Sequence, residues 1–224
     1  MPSHPHPPLD WADIDTVCLD LDGTLLDQAY DNHIWGDLLP QRFALAHSLD
    51  LGEAVAEIER RYAEHRGTLK GYCIEHWSRD LGVDIGALHR ELRAHVAWLP
   101  GAREFLERMR AAGKRLVLLT NSHPIALEVK HQQTGVLDYL DTSVTSHEFG
   151  YPKEDARFWQ AAQRKLGFAP ARSIFVDDNT HVLRAAHAAG FRWVFGVRHW
   201  DSRRPQREHI HHPAVDGVAD LVVA

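Results

Sequence analysis

The stretch Thr16-Val-Cys-Leu-Asp-Leu-Asp-Gly-Thr24 decides our interpretation of the fold. Its first four residues are a short apolar run with β-prone side chains, and Gly23 permits a sharp turn soon after them. The pattern predicts a buried strand that ends in a polar loop carrying Asp20 and Asp22. Two carboxylates at the end of a buried strand are costly unless something cationic holds them.

The order of strand, polar loop and helix recurs after residue 100. We predict strands at Leu116–Leu119, Thr142–Thr145, Ser173–Val176 and Trp193–Val197, and helices near 102–112, 125–133, 154–166 and 180–189. This alternation indicates right-handed crossovers and a doubly wound parallel α/β sheet of the Rossmann-like type. Because ligands bind at the carboxyl ends of such strands, the loops after Leu19, Leu119 and Val176 should meet at one edge.

Residues 27–99 have helical periodicity instead. Val55, Ile58 and Tyr62 share one face of a helix, and Pro40 and several glycines divide the stretch into about four helices. We therefore expect an all-helical cap over 27–99, inserted into an α/β catalytic core made of 9–26 and 100–224. The Pro-rich residues 1–8 are expected to form a disordered tail.

Composition argues against several classes of protein. A net charge of −6 gives no basic surface for a nucleic-acid polymer or an anionic membrane. No apolar run approaches the roughly 20 residues that cross a bilayer, and the first residues lack the features of a secretion signal, so we expect a cytoplasmic protein.

Cys18 and Cys73 cannot supply a disulfide framework or a tetrahedral thiolate metal site, and we interpret both as packing residues. The group His209, His211 and His212 is interpreted as an exposed loop rather than a metal site.

A second acidic pair, Asp177 and Asp178, follows the strand that ends at Val176. Up to four carboxylates at one sheet edge would repel one another, so a hard divalent cation is the natural neutraliser. Mg²⁺ fits best because it prefers oxygen ligands and readily takes a phosphate oxygen. The partner predicted on this ground is a small phosphorylated molecule.

Groups suited to the phosphate itself occur elsewhere. Thr120 and Asn121 offer a hydroxyl, an amide and backbone N–H groups just before a helix, and Lys153 supplies a positive charge. A carboxylate can attack phosphorus, and a second carboxylate two residues away can act as general acid and base.

These segments together resemble a known family. Val17–Leu25, Leu119–Ser122, Lys153 and Phe175–Asp178 resemble the four motifs of the haloacid dehalogenase superfamily, and the insertion resembles the helical cap of its first subclass. The family residues that this resemblance implies are Asp20 as nucleophile and metal ligand, Asp22 as general acid/base and metal ligand through its carbonyl, Thr120 and Lys153 as phosphate ligands, Asp178 as a direct metal ligand, and Asp177 as a metal ligand directly or through water.

Two details refine the resemblance. An acid at Asp22 disfavours halide displacement, because the dehalogenase members lack one there. Many relatives carry Lys-Pro after the third strand, whereas here Pro152 precedes Lys153.

Within the superfamily, Leu25–Trp35, Phe149–Asp155 and Val176–Asn179 are similar to bacterial purine nucleotidases that hydrolyse GMP and IMP. Flat and hydrogen-bonding side chains at the start of the cap suit a purine: Tyr30, Asn32, His33 and Trp35. Tyr72, His76 and Trp77 are further candidates, although Trp35 and Trp77 are better suited to helix packing.

The alternatives are a phosphatase for a small metabolite such as phosphoglycolate or a sugar phosphate, a phosphomutase, and a binding module that has lost turnover.

Overall fold

A parallel β-sheet forms the centre of the computed structural model, which describes residues 9–208 and 212–221. Its strands are β1 Thr16–Leu19, β2 Arg115–Thr120, β3 Thr142–Thr145, β4 Ser173–Asp177, β5 Trp193–Val197 and β6 Ala214–Val215. The order across the sheet is β3-β2-β1-β4-β5-β6, and all neighbours pair in parallel. The predicted tail at 1–8 lies outside the described residues, as do His209 and His211.

Helices cover both faces of this sheet. Those of the core are α6 Ala102–Ala111, α7 Pro124–Thr134, α8 Ser146–Phe149, α9 Ala156–Leu166 and α10 Thr180–Ala188, and those of the stretch between β1 and α6 are α1 Ala29–His33, α2 Leu39–His47, α3 Leu51–His65, α4 Ile74–Leu81 and α5 Ile85–Glu91. The predicted fold class is confirmed. β6 was not predicted, because two residues are too few to carry a periodic pattern.

Buried apolar side chains lie on both sides of the sheet. Val17 and Leu19 of β1 belong to one cluster, and Cys18, which points to the opposite face, belongs to the other. The first cluster continues into the helical insertion, where it includes Phe43 and Trp77. The insertion therefore packs on the core through the same apolar cluster that lies beneath the sheet.

The predicted helix break at Pro40 is wrong. A π-helical turn, Ile34–Leu38, joins α1 to α2, so the chain is helical from Ala29 to His47. In this wider turn the N–H of Leu39 bonds to the carbonyl of Ile34, five residues back. The widened turn accommodates the missing N–H and the ring of Pro40 without ending the helix.

The two connections between insertion and core run side by side. Leu26 forms an antiparallel bridge with Trp98, and the N–H of Leu99 donates to the carbonyl of Leu25 at 2.9 Å. This pairing supports domain boundaries near residues 27 and 99, which we retain as a proposal. Among the described residues, no helix has both the length and the apolar character that a membrane crossing demands.

Candidate active site

Three carboxylates meet at the carboxyl edge of the sheet, between β1 and β4. The pairing of Leu19 with Val176 sets the two loops side by side, and oxygens of Asp20, Asp177 and Asp178 lie within 4.8 Å of one another. This is the point where the chain reverses its direction across the sheet, which is the usual ligand crevice of doubly wound folds.

Lys153 lies among these carboxylates. Its Nζ contacts Asp20 Oδ1, lies 2.7 Å from Asp177 Oδ2 and donates to the carbonyl of Leu119 at 3.0 Å. Burial opposes the charge on Lys153, but the carboxylates of Asp177 and Asp20 outweigh it and raise its pKa. The structure thus brings together four of the residues predicted from separate motifs, despite the shifted position of Pro152.

The electrostatics of this site favour a bound cation. Burial raises the pKa of Asp20, Asp177 and Asp178 above the ordinary carboxyl value, and the negative charge of Asp20 helps to raise that of Asp178 to about 7. Lys153 and Arg207, which pairs with Asp178 at 3.1 Å, supply two positive charges to these three carboxylates and the neighbouring Asp22. The donor set consists of hard carboxylate oxygens, so these residues fit Mg²⁺ as a ligand set.

Asp22 is held by a second buried lysine. Lys130 Nζ lies 2.7 Å from Asp22 Oδ1 and 2.9 Å from Asp31 Oδ2, and the lysine is 1% exposed. Burial raises the pKa of Asp22, and the charge of Asp31 adds to this effect while Lys130 opposes it. The carboxyl group therefore has a greater tendency to carry a proton than an ordinary aspartate.

The loop after β2 positions Lys153. Asn121 Oδ1 accepts from the N–H of Lys153 at 2.9 Å, and its Nδ2 donates to Glu154 Oε2 at 3.0 Å. Thr120 is 1% exposed and its Oγ1 accepts from the N–H of Ser122 at 2.9 Å. Both side-chain polar atoms of Asn121 are therefore engaged within the protein, which makes it a residue that positions Lys153.

Arg207 and Gly23 position Asp178. Arg207 Nη2 lies 3.1 Å from Asp178 Oδ2, and its Nη1 donates to the carbonyl of Asp178. Gly23 has a φ of +80°, and a Cβ there would lie 2.9 Å from Asp178 Cγ. The first loop can thus approach the second only because residue 23 has no side chain.

A cleft of about 1230 Å³ extends from the carboxylates to the helical insertion. Of the four side chains proposed for a purine, Asn32 and Trp35 line this cleft. Tyr30 does not: it is 2% exposed, and its hydroxyl donates to the carbonyl of His89 at 2.8 Å. His33 also lies off the cleft and pairs with Asp37 at 2.8 Å.

Among the other aromatic candidates, Tyr72 lines the cleft and donates to Glu154 Oε1 at 2.6 Å. Trp77 is buried, and its Nε1 donates to the carbonyl of Gly71, so it serves helix packing. His76 is not part of the cleft wall.

Sequence reasoning missed several residues of the site. The signal for Lys130 was present, since it lies on the buried face of α7 with Ala126 and Leu127, where an unpaired lysine would be very costly. Tyr62 and Arg66 of the cleft wall, and Arg207, carried no distinguishing pattern.

The strand order, the acidic centre and the inserted helices define a class of hydrolase. The model of the family described as haloacid dehalogenase-like hydrolase matches residues 14–190, and the chain belongs to this family. It is therefore an enzyme, a hydrolase.

The chain is also similar to individual proteins of this family. The chain is 38% identical over 212 residues to the GMP/IMP nucleotidase YrfG of Escherichia coli (strain K12), a match covering 95% of this chain and 96% of the relative. It is 26% identical to a phosphoglycolate phosphatase of Chromobacterium violaceum, over 79% of this chain and 82% of that protein. Among solved structures, a HAD phosphatase from Thermococcus onnurineus superposes with a TM-score of 0.78 at 19% identity, covering 93% of this chain and 96% of that one.

Proposed function

We propose that this protein is a magnesium-dependent phosphomonoester hydrolase that acts on purine nucleoside 5'-monophosphates, chiefly GMP and IMP, through an aspartyl-phosphate on Asp20. The observation that carries the proposal is the contact of the buried Asp20 carboxylate with Lys153, beside a second acidic pair and at one end of a cleft that reaches an aromatic wall. The similarity to a GMP/IMP nucleotidase over nearly the whole chain supports the substrate class.

In the first step, an oxygen of Asp20 attacks phosphorus. A bond forms between that oxygen and phosphorus, and the bond from phosphorus to the 5'-oxygen of the nucleoside breaks. Asp22 donates its proton to the leaving oxygen, a role that its raised pKa supports. Lys153 neutralises charge on the phosphoryl oxygens, and Thr120, at the end of β2, is the second proposed phosphate ligand.

In the second step, Asp22 takes a proton from water, which then attacks the phosphorus of the aspartyl-phosphate. Inorganic phosphate leaves and the Asp20 carboxylate is restored. Asp20, Asp177 and Asp178, with the carbonyl of Asp22, would hold Mg²⁺, which when bound supplies further neutralisation of the phosphate charge. Lys130 keeps Asp22 in place through both steps, since it contacts the carboxyl group directly.

The wall of the cleft suits a 6-oxopurine. The guanidinium of Arg66 lies 6.0 Å from the centre of the Tyr62 ring, and both residues line the cleft with Trp35. An arginine can donate to the O6 and N7 acceptors that guanine and hypoxanthine share, whereas adenine presents an amino donor at position 6. We therefore propose that Arg66 favours GMP and IMP over AMP, with Trp35 or Tyr62 stacking on the base.

The size of the cleft supports a nucleotide substrate over a small ester. Pockets that enclose drug-sized ligands measure roughly 300–1,000 Å³, and the cleft, at about 1230 Å³, is larger than these. Phosphoglycolate is smaller than a drug-sized ligand and would leave most of the cleft unfilled. The deciding experiment is kcat/KM for GMP, IMP, AMP, phosphoglycolate and sugar phosphates, with inorganic phosphate measured directly. Higher values for the small esters would contradict the nucleotidase proposal, and transfer between sugar positions without phosphate release would indicate a mutase.

Two further measurements test the chemistry separately from the substrate. Asp20→Asn should abolish phosphate release, while the control Asp13→Asn, which removes a surface ion pair with Arg192, should not. A chelator should abolish activity reversibly, with Mg²⁺ restoring it. Activity that survives either treatment would contradict the mechanism.

For the base, Arg66→Ala should reduce the preference for GMP over AMP in kcat/KM. The control Arg42→Ala should not, since Arg42 of the insertion pairs with Glu91 and does not line the cleft. An unchanged preference in Arg66→Ala would mean that this arginine does not read the purine.

A further inference from the structure

A second group of metal-binding side chains lies apart from the acidic centre, where the helical insertion meets the core. Ligand atoms of Cys73, His123 and His147 lie within 4.8 Å of one another. Cys73 directly precedes α4 of the insertion, His123 caps the start of α7, and His147 belongs to α8. Three segments that are distant in sequence thus present a thiol and two imidazoles to one point.

A carboxylate completes this group. Glu75 Oε2 lies 2.6 Å from His123 Nε2 and 3.6 Å from Cys73 Sγ. Sulfur, two imidazole nitrogens and a carboxylate oxygen are the ligand types that zinc takes in tetrahedral sites. Two cysteines are too few for a tetrahedral thiolate site, but a mixed site of sulfur, nitrogen and oxygen ligands needs just one.

His147 is the residue that points to a missing ligand. Both of its ring nitrogens are buried and, among the described residues, neither has a hydrogen-bond partner. Its ring meets that of His123 edge to face, with centroids 4.5 Å apart. A buried polar atom without a partner costs about 1–3 kcal/mol, so two on one ring are unusual unless something binds there.

Burial also leaves both imidazoles in the form that binds metals. It lowers the pKa of His147 to about 4 and lowers that of His123, so each ring is neutral at physiological pH and has a lone pair to give. His123 is 7% exposed. With a metal on Nε2, the proton of the neutral ring would lie on Nδ1, so Nδ1 could no longer accept the weak 3.3 Å hydrogen bond from the N–H of Ile125.

We propose that Cys73, Glu75, His123 and His147 bind one zinc-type transition-metal ion, separately from the acidic cluster. Zn–S and Zn–N bonds of about 2.3 and 2.1 Å place the ligand atoms of a tetrahedron about 3.5 Å apart. The Cys73, His123 and His147 atoms, now within 4.8 Å of one another, would adjust toward this spacing, and Glu75 Oε2 would move away from His123 Nε2, from which it is now 2.6 Å distant. Two ligands come from the insertion and two from the core. A bound ion therefore ties the start of α4 to α7 and α8, and holds the insertion against the core.

Cobalt provides the test, since Co²⁺ bound to a thiolate has a strong near-ultraviolet charge-transfer band. The chain has only two cysteines, and Cys18 is fully buried with a raised pKa, so the band reports on Cys73. Metal-free full-length protein is titrated with Co²⁺ in excess Mg²⁺, which occupies the acidic cluster but does not bind thiolate. We expect a band that saturates at one equivalent and is removed by Zn²⁺.

Variants assign the site. Cys73→Ser and His147→Ala should each lose the band, whereas Cys18→Ala, the exposed control His95→Ala and Asp20→Asn should keep it. Zn²⁺ should raise the Tm of the wild type by several degrees and leave that of Cys73→Ser unchanged, a readout that applies to any variant that folds. No band in the wild type, or a band that survives Cys73→Ser, would overturn the proposal.

Discussion

Lys130 Nζ lies 2.7 Å from Asp22 Oδ1 and 2.9 Å from Asp31 Oδ2, so a single buried ammonium group joins the first polar loop, helix α7 and the first helix of the insertion. Asp22 and Asp31 both depend on this lysine for their charge balance. The proposed general acid/base is therefore held by a residue of the core and shares its partner with the insertion.

Lys130→Met should lower both stability and kcat. The substitution leaves two buried carboxylates unpaired, and breaking a buried ion pair costs about 3–5 kcal/mol. Where the variant folds, kcat should fall at least about tenfold, because Asp22 loses the contact that orients it, while KM should change little. Urea unfolding and steady-state kinetics measure the two effects.

The matched control is Lys165→Met, which removes an exposed pair with Glu148 and should cost under about 1 kcal/mol with kcat unchanged. Wild-type kcat in Lys130→Met would mean that Asp22 is oriented without Lys130.

Gly23→Ala should damage the site more than the fold. A Cβ at residue 23 would lie 2.9 Å from Asp178 Cγ, and its φ of +80° is unfavourable for alanine. Gly67 has a φ of +71°, but a Cβ there would meet no atom within 4 Å, so Gly67→Ala has the same backbone strain without the clash. Both variants should lose about 1–2 kcal/mol of stability, but only Gly23→Ala should require more Mg²⁺ for half-maximal activity. Equal Mg²⁺ dependence in the two would show that Asp178 tolerates the displacement.

The central sheet and its acidic edge were predictable because their patterns are local. The apolar run at Thr16–Leu19 and the carboxylates that follow it are close together in the sequence, and parallel pairing brings the equivalent loop after β4 alongside. Lys153 could be predicted only by resemblance, since a lysine in a loop is ordinarily solvated.

The wall of the cleft was less predictable because it depends on how helices pack. Tyr30 and Trp35 lie close together on one continuous helix, yet the hydroxyl of Tyr30 is hydrogen-bonded to His89 and Trp35 faces the cleft. The π-helical turn that begins between them changes the helical phase, and nothing in the sequence except Pro40 hinted at it. Cys73, His123 and His147 come together only through the docking of the insertion, which no local pattern records.

His89 should make stability depend on pH in the acid range. Burial lowers its pKa to about 3, with Lys130 adding to the effect, whereas the unfolded chain has the ordinary value near 6.5. Between these values the unfolded state binds the extra proton, so the contribution of neutral His89 is complete above about pH 6.5 and is lost as pH falls toward 3. The loss can reach about 1.4 kcal/mol per pH unit.

The measurement is the difference in unfolding free energy between the wild type and His89→Gln at several pH values from about 7.5 to about 4, a range that spans most of this titration. This difference should shrink as pH falls, because the variant has no imidazole to protonate there. Other buried histidines with lowered pKa, such as His147, titrate alike in both proteins and cancel. A difference that stays constant with pH would contradict the prediction.

Glu154 links the insertion to Lys153. Tyr72 of the insertion donates to Glu154 Oε1 at 2.6 Å, Asn121 donates to Glu154 Oε2 at 3.0 Å, and Asn121 Oδ1 accepts from the N–H of Lys153 at 2.9 Å. Because both donors need an acceptor, Glu154→Gln should lower kcat more than Tyr72→Phe does. The single side-chain carbonyl oxygen of the glutamine can accept from one donor, and its amide group then faces the other donor.

We expect Tyr72→Phe to lower kcat a few-fold and Glu154→Gln to lower it further, with a stability loss of about 1–3 kcal/mol for the mismatched donor. Because the effect passes through Lys153, it should be the same for GMP and for a small ester such as p-nitrophenyl phosphate. Tyr139→Phe, whose ring packs against Trp98 and Arg103 instead, is the control and should leave kcat unchanged. If Tyr72→Phe impairs only GMP hydrolysis, then the hydroxyl of Tyr72 serves the nucleoside directly, and the insertion senses substrate by contact rather than through the loop of Lys153.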